Sequence, residues 1–342
     1  MDYRIYLRCA GRGIERVSAA ILFVVLALVG CGSGSNSTDE QLPPHGETSA
    51  NDSAIRAQQD TQDVPSLVVG LMPAVDTAPF FVAHEAGYFA DEGVDVAFQL
   101  FTSGQDRQSA LQTGRIDGAM TDLVAVAVNV AGGFDLKATM LTEGVFPIIV
   151  RPDFAENGES RVSIGLMEVS VTNFLADQWL ASDYELKKVF INQVPARLEA
   201  VASGQLDMGV FPEPIASVGV ARGLDRWVFD PVDGFSPDVI AFTGTAREDK
   251  RAAIAAFQRA YNRAAADIRD QNDLARDAII ANIPNLSAEI RREIVLPTYH
   301  DARLPDAAAV ERMIRWTERV VAEELSVTAD DLLDRSFLAI GN

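Results

Sequence analysis

The chain alternates short apolar segments with longer segments of helical periodicity, and the two kinds follow one another in a regular order. Residues 66–72 (SLVVGLM) are rich in β-branched side chains and end in a proline-containing loop, which is typical of a buried strand. A helical segment over 80–90, a strand over 94–101 and a helix that stops near Gly114 come next. This order predicts parallel strands covered by helices.

A second copy of this order begins further along the chain. GLM at 70–72 recurs at 165–167, and AxxTGxID at 110–117 recurs as AxxSGxLD at 200–207. In both copies a glycine ends a helix and an aspartate precedes a buried strand. Two matches in the same order predict two similarly built α/β lobes.

Apolar runs at 146–150 and 239–242 predict two crossings between these lobes, and the last part of the chain is almost purely helical. We therefore predict an α/β fold of two similar lobes with mixed, mostly parallel sheets, a two-strand hinge and a helical C-terminal segment. The predicted boundaries are 65–145 and 240–342 for the first lobe and 146–239 for the second. Two sheets that face one another across a hinge enclose a cleft, which suits capture of a small molecule by closure.

The N-terminal residues 1–30 have the pattern of a signal peptide. Several arginines precede an apolar run at 19–29, which is too short to span a bilayer of about 30 Å. The run ends in Leu-Val-Gly-Cys, which resembles a bacterial lipobox and predicts lipid modification of Cys31. An ordinary signal peptide with a chance cysteine and an uncleaved anchor are the alternatives. Residues 31–64 are polar and predict a flexible tether.

The composition of the chain argues against several classes of function. Acidic side chains outnumber basic ones by 49 to 29, and the net charge of −20 at pH 7 argues against nucleic acid as a partner. The only cysteines are Cys9 and Cys31, so the body of the chain has no disulfide, thiolate metal site or cysteine nucleophile. Three histidines also argue against a multi-histidine metal site. We therefore predict a protein without metal, cofactor or catalytic activity.

Polar and small residues follow the predicted strands, at the edge where open parallel sheets bind ligands. We expect the cleft to be lined by Pro73, Asp76, Thr77, Ser103, Gly104, Thr121 and Asp122 in the first lobe, by Ser170, Val171, Thr172 and Glu213 in the second, and by Glu143 near the hinge. Gly104 lets backbone N–H groups approach an anion or a polar group at a helix start. Asp76, Asp122 and Ser170 are also natural helix N-caps, and that alternative stays open.

Glu213 is the residue that we most expect to face the ligand, because prolines on both sides fix it at a strand end. With Asp76, Asp122 and Glu143 it gives four acidic candidates against one nearby base, Arg107. Carboxylates accept hydrogen bonds from amines, so these residues favour a ligand with amines or a cationic ring, such as an aminopyrimidine. A sulfonate or nitrate would need basic side chains or several free N–H donors.

Several short motifs resemble one known family. They are PFFVA at 79–83, EAGYF at 85–89, EGVDV at 92–96, the AxxTGxID segment at 110–117, Thr121-Asp122 and FPEP at 211–214. The chain resembles the solute-binding lipoproteins of bacterial ABC importers, in the group that includes binders of thiamine precursors, alkanesulfonates, taurine and nitrate. The resemblance covers roughly residues 66–340.

This resemblance implies a type II periplasmic-binding fold and a protein that delivers a small-molecule solute to an ABC permease with its ATPase. We expect a monomer, held outside the cytoplasm by a lipid anchor, with a thiamine-precursor-like aminopyrimidine as its ligand. The alternatives are a sulfonate, taurine or nitrate binder of the same fold, a ligand-sensing lipoprotein and a periplasmic enzyme. An allied group that makes the thiamine pyrimidine uses a cysteine-rich motif, and this chain has no cysteine after Cys31.

Overall fold

The computed structural model describes residues 5–7, 64–152, 154, 160–230, 236–321 and 323–338. The predicted signal peptide, the lipid-modified Cys31 and the tether lie outside these residues, apart from a strand at Ile5–Leu7 and from Val64. None of the described helices is long and apolar enough to cross a membrane.

Strands and helices alternate along most of the described chain. The strands are β1 (Ile5–Leu7), β2 (Ser66–Leu71), β3 (Asp95–Leu100), β4 (Gly118–Asp122), β5 (Leu136–Leu141), β6 (Ile148–Val150), β7 (Arg161–Leu166), β8 (Glu185–Phe190), β9 (Met208–Val210), β10 (Asp225–Val228) and β11 (Asp238–Thr243). The α-helices are α1 (Ala78–Glu85), α2 (Tyr88–Asp91), α3 (Gly104–Gln112), α4 (Leu123–Ala131), α5 (Val171–Leu180), α6 (Val194–Ala202), α7 (Ile215–Ala221), α8 (Gly244–Asp249), α9 (Arg251–Asp270), α10 (Asp273–Asn282), α11 (Ala307–Val321) and α12 (Ala329–Leu332). Short 3-10 helices lie at Val75–Thr77, Ala288–Arg292 and Arg335–Phe337.

The strands form two sheets, which define lobe I (β2 to β5 and β11) and lobe II (β6 to β10). The strand order is β3-β2-β4-β11-β5 in lobe I and β8-β7-β9-β6-β10 in lobe II, where β1 adds at the edge beside β10. In each lobe three neighbouring strands pair in parallel: β3, β2 and β4 in lobe I, and β8, β7 and β9 in lobe II. Strand β11 in lobe I and strand β6 in lobe II run antiparallel to both of their neighbours. The prediction of two similar α/β lobes with mixed sheets is confirmed. Antiparallel pairings are more frequent than we expected, because β6 and β11 each enter their sheet from the other lobe.

The two crossings between the lobes lie mostly just before the apolar runs that we expected to carry them. The chain leaves lobe I through residues 142–147, which have no regular secondary structure, and it returns between β10 and β11. The runs at 146–150 and 239–242 belong mainly to β6 and β11, which lie inside the two sheets. Ile149 and Ile240 are fully buried there, which explains why these segments are so apolar.

The sequence repeat places matching side chains in the two lobes. Asp117 in lobe I accepts a hydrogen bond from the Val68 backbone N–H at 2.8 Å, and Asp207 in lobe II accepts one from the Ser163 N–H at 2.7 Å. Val68 and Ser163 lie on β2 and β7, the first parallel strand of each lobe. The repeated aspartate therefore fastens the loop after a helix to the neighbouring parallel strand of its own lobe, β2 or β7.

The C-terminal helices cover lobe I and reach lobe II. Helix α9 packs on α1, where the rings of Phe80 and Phe257 stack with centroids 5.2 Å apart. Helix α11 packs on α4 of lobe I and also contacts α5 of lobe II. There the Trp316 ring meets Phe174 edge-on, and the Trp316 indole N–H donates to the Asp177 carboxylate at 3.0 Å. Helix α11 therefore ties the two lobes together.

Candidate functional site

A cavity of about 50 Å³ lies between the lobes, beside the carboxyl ends of β2, β4, β7 and β9. Lobe I and the crossing segment contribute Met72, Ala74, Asp76, Arg107, Met120, Thr121, Asp122, Phe146 and Asp238, and lobe II contributes Met167, Ser170, Val171, Thr172, Val194, Arg197 and Pro212. This is the edge at which open parallel sheets bind ligands. The cavity leaves room for a small number of water-sized groups.

Half of the predicted site residues line this cavity. They are Asp76, Thr121 and Asp122 from lobe I and Ser170, Val171 and Thr172 from lobe II. The other six, Pro73, Thr77, Ser103, Gly104, Glu143 and Glu213, are not part of its lining. Contact of all twelve with a ligand stays a prediction.

Glu213 is not part of the cavity lining, and its contact with the ligand stays a prediction. Its carboxylate is fully buried, with Oε1 accepting from Arg226 at 2.9 Å and Oε2 accepting from the Ser217 hydroxyl at 2.8 Å. Burial raises the pKa of Glu213, and the nearby Arg226 charge opposes that rise. The proline-flanked loop brings Pro212 to the cavity instead, and the Glu213 carbonyl accepts from the Val75 N–H of lobe I at 2.8 Å.

Glu143 and Thr77 also have partners of their own. Glu143 lies on the crossing segment, where its Oε1 makes hydrogen bonds with His300 at 2.8 Å and Arg303 at 2.9 Å. The buried Thr77 hydroxyl donates to the Ala74 carbonyl at 2.6 Å. These contacts give both residues a structural role at the edge of the cavity.

A second, larger groove adjoins the cavity. Its volume is about 320 Å³, and it lies between α3 and α4 of lobe I and the loop that follows β7 of lobe II. Gly104 lines this groove, while the neighbouring Ser103 caps α3 and is buried. Arg107 and Met167 line both the groove and the cavity, so these two side chains separate the cavity from the more open space.

Two predicted residues both cap a helix and line the cavity. Asp122 Oδ1 accepts from the Ala125 N–H at 2.9 Å at the start of α4, and burial raises the pKa of Asp122. Ser170 Oγ accepts from the Thr172 N–H at 3.2 Å at the start of α5. Helix capping and a place in the cavity wall are therefore compatible at these positions.

Asp76 and Asp238 make one side of the cavity acidic. Asp76 Oδ2 accepts from the Thr142 hydroxyl at 2.7 Å, whereas its buried Oδ1 has no hydrogen-bond partner among the described residues. Burial raises the pKa of Asp76 to about 6 and raises that of Asp238 well above its usual value, and the Asp76 charge adds to the rise at Asp238. In the described part of the chain, no group of three or more His, Cys, Asp or Glu side chains could hold a metal ion.

Sequence reasoning missed Asp238, although its position has a simple cause. Because β11 runs antiparallel to β4, the first residue of β11 pairs with the last residue of β4, so that Asp238 stands opposite Asp122. A polar residue at the start of an antiparallel strand thus reaches the carboxyl edge of its parallel neighbours. The signal was a single aspartate before an apolar run, which is informative only once the strand direction is known.

Arg107 and Arg197 bring two buried guanidinium groups to the same cavity. Arg107 donates to the Thr121 hydroxyl at 2.9 Å, and burial lowers its pKa while Asp122 opposes that change. Arg197 donates through Nη1 to the Ile191 carbonyl at 3.0 Å. Both are on the buried faces of their helices, α3 and α6. From the sequence we named Arg107 as the one base near the site but overlooked Arg197, whose signal is a positive charge on an apolar helix face.

Arg197 has fewer partners than its burial requires. It is fully buried, and its Nε and Nη2 make no hydrogen bond with any described residue. No described carboxylate lies within ion-pair distance of it, and its guanidinium carbon stands 5.2 Å from the centroid of the Phe211 ring. Burial alone lowers the pKa of Arg197 to about 9. A buried charge without hydrogen-bonding partners is costly, so Arg197 is the least satisfied charged group of the cavity.

Two α/β lobes, joined by two crossing segments and enclosing a cavity at the carboxyl ends of their parallel strands, define the periplasmic-binding-protein fold. The profile of the NMT1-like family matches residues 60–158 of the chain. No curated protein sequence matches it.

Solved structures share this fold. The ligand-binding component of an ABC-type import system from Staphylococcus aureus, with zinc bound, is 14% identical with a TM-score of 0.71, and the match covers 81% of this chain and 99% of that one. The alkanesulfonate-binding protein from Xanthomonas axonopodis pv. citri bound to MOPS is 17% identical with a TM-score of 0.62, covering 78% and 97%. The periplasmic nitrate-binding protein from Synechocystis PCC 6803 is 13% identical with a TM-score of 0.61, covering 80% and 92%. At these identities the similarity establishes the fold.

Proposed function

We propose that this chain is the solute-binding component of an ABC importer, which captures a small polar molecule between its lobes and delivers it to a permease with its ATPase. One observation carries the proposal: the cavity brings together buried ionisable groups from both lobes, Asp76 and Asp238 from lobe I and Arg197 from lobe II. Burial of charges is unfavourable until partners are found. A polar solute supplies those partners, so that binding and closure of the lobes favour each other.

The similar proteins support this role and its location. They include the ligand-binding component of an ABC-type import system, an alkanesulfonate-binding protein and a periplasmic nitrate-binding protein. Each matches this chain along nearly its full length. The lipobox-like sequence at Cys31 supports attachment to the outer face of a membrane, with the polar segment after it as a tether. We propose a monomer that binds its solute without chemical change and has no nucleic-acid partner.

The ligand has two candidate classes, each supported by one side of the cavity. The carboxylates of Asp76 and Asp238 fit amine donors or a cationic ring, such as a thiamine-precursor-like aminopyrimidine. The guanidinium groups of Arg107 and Arg197 fit an anionic group such as a sulfonate, carboxylate or nitrate.

An extract-binding experiment tests the proposed function. The full chain is incubated with a small-molecule extract of bacterial cells and dialysed, and the retained solutes are identified by mass spectrometry. Wild-type protein is expected to retain a small solute at close to one per chain, chemically unchanged. Ala74→Phe, which fills the cavity, should lose it, and the matched Ala74→Ser should keep it. Retention of no solute, equal retention by Ala74→Phe, or conversion of the solute contradicts the proposal.

A further inference from the structure

We infer that the solute is a small zwitterion whose acidic group is bound by Arg197 and the start of α5 in lobe II and whose amine is bound by Asp76 and Asp238 in lobe I. The inference rests on the proposed function and gives its ligand a chemical class. A simple anion would find partners only on the arginine side of the cavity, and a simple amine only on the carboxylate side. A zwitterion finds partners on both sides.

The sequence repeat shows why Nε and Nη2 of Arg197 have no partner among the described residues. Arg107 and Arg197 are 90 residues apart, the same offset as that between the AxxTGxID and AxxSGxLD segments, so they occupy equivalent positions in the two lobes. The same offset relates Thr121 to Phe211 and Asp122 to Pro212. In lobe I, Arg107 has the Thr121 hydroxyl at 2.9 Å and is stabilised by the charge of Asp122.

Lobe II has an aromatic ring and a proline where lobe I has a hydroxyl and a carboxylate. Arg197 therefore lies over the Phe211 ring, and Pro212 supplies neither a carboxylate nor a hydroxyl. Its Nε and Nη2 stay without a partner among the described residues. Two unused N–H groups on a guanidinium are suited to an acidic group that accepts from both.

The start of α5 adds to the same side of the cavity. Helix α5 has ten residues, and Ser170, Val171 and Thr172 at its N-terminal end all line the cavity. The positive end of a helix dipole and its free N–H groups favour an anion. The fully buried Arg197 gives independent support for an anionic group at this place.

The carboxylates on the opposite side of the cavity need a hydrogen-bond donor. Asp76 Oδ1 is buried without a hydrogen-bond partner among the described residues, and Asp238 faces the same space. An ammonium group has three donors and a positive charge, which would satisfy both carboxylates. Since the acidic and basic groups belong to different lobes, a zwitterion finds partners at both ends only when it lies between the two lobes.

A matched set of small molecules tests the class of solute. The full chain is titrated calorimetrically with ω-amino carboxylates of two to six carbons, the corresponding aminosulfonates, and truncated forms of each that lack either the amine or the acid. We expect a zwitterion in the series to bind at least tenfold more tightly than either of its truncated forms. Comparison of the amino carboxylates with the aminosulfonates shows which acidic group the protein prefers. Equal binding of a truncated form, or binding of no zwitterion in the series, overturns the inference.

The substitution Arg197→Met tests the role of the arginine without any solute. It keeps the apolar stem and removes the unpartnered charge, so the thermal midpoint of the free protein is expected to hold or rise. The control is Arg226→Met, which removes another buried arginine, one that is paired with Glu213, and should lower the midpoint clearly. Arg197→Met should also weaken binding of the zwitterion at least tenfold.

A fall in the midpoint of Arg197→Met as large as that of Arg226→Met would give Arg197 a structural role and overturn the inference. Failure of the inference is distinguishable from failure of the proposed function. A protein that retains a neutral or singly charged solute from the extract keeps the function and rejects the zwitterion, whereas a protein that retains nothing rejects both.

Discussion

Arg107 and Arg197 lie at equivalent positions of the two lobes, and both guanidinium groups line the same cavity. They differ in their partners, because lobe I provides Thr121 and Asp122 where lobe II has Phe211 and Pro212. The two lobes thus have the same framework but opposite electrostatic character at the cavity. The proposed solute would bind with its acidic group toward lobe II and its amine toward lobe I.

Pro212→Asp should reproduce in lobe II the arrangement of lobe I. A carboxylate at position 212 would compete with the solute for Arg197, so we expect solute affinity to fall at least tenfold while the thermal midpoint of the free protein holds or rises. Pro212→Asn is the matched control, since it has the same shape without the charge. Equal effects of Asp and Asn on affinity would mean that Arg197 does not bind an acidic group.

Stability should fall with rising pH because of Asp76. Burial raises its pKa from 3.8 to about 6, with the nearby Glu143 charge adding to the rise and the Thr142 hydrogen bond and Arg107 opposing it. The folded protein therefore holds the proton more tightly than the unfolded chain does, and the free energy of unfolding decreases between about pH 4 and pH 6, by on the order of 3 kcal/mol. Urea unfolding at several pH values measures this slope.

Binding of an amine should show the opposite trend. The amine needs ionised carboxylates, so the affinity is expected to rise as the pH increases through about 6. Asp76→Asn should flatten both the stability slope and the affinity profile. A variant with the same two pH profiles as the wild type would show that Asp76 does not titrate in this range.

Glu213→Gln should reduce stability rather than solute affinity. The substitution leaves the buried Arg226 without its counter-charge, which typically costs about 3–5 kcal/mol. Denaturant unfolding measures the loss, and calorimetry on the folded fraction should give an unchanged dissociation constant. Unchanged stability together with weakened binding would return Glu213 to the ligand site.

Trp316→Phe should weaken the tie between the lobes. It keeps an aromatic ring against Phe174 but removes the N–H that donates to Asp177 across the lobes. A hydrogen bond to a charged group contributes about 1.5–3 kcal/mol, so solute affinity should fall about tenfold if this bond forms on closure. Trp179→Phe is the control, because the Trp179 indole nitrogen has no hydrogen-bond partner among the described residues. Equal affinities of the two variants would show that the Trp316 bond does not contribute to closure.

Lipid attachment is tested by Cys31→Ala. The lipobox-like sequence predicts that this variant moves from the membrane fraction to the soluble fraction of the cells that produce it. Cys9→Ala, which changes the other cysteine of the chain, should stay with the membrane. Retention of Cys31→Ala in the membrane fraction would favour an uncleaved N-terminal anchor.

The fold was predictable because it depends on patterns that span many residues. The repeat of Asp117 as Asp207 identified two similar lobes, and the carboxyl ends of the parallel strands located the cavity edge. Arg197 also had a signal, since it shares a helix face with the buried Val194, Leu198 and Val201. A charge on an apolar face of a helix is unfavourable unless it has a partner.

Glu213 and Asp238 were not predictable from the same patterns. The direction of the Glu213 side chain depends on Arg226, thirteen residues away on a different element, and no local pattern indicates that pair. Asp238 joins the cavity only because β11 runs antiparallel to β4, and the sequence does not show the strand direction before the crossings are known. Side-chain direction in loops and strand order between lobes are properties of the folded chain.

A distance measurement between spin labels on the two lobes tests whether a solute holds the lobes together. Gln105 on α3 of lobe I and Ala196 on α6 of lobe II are exposed and can be changed to cysteine, in a full chain whose Cys9 and Cys31 are replaced by serine. We expect a shorter and narrower distance distribution when the solute recovered from the extract is added, and no change in the Ala74→Phe background. An identical distribution with and without that solute would contradict this expectation.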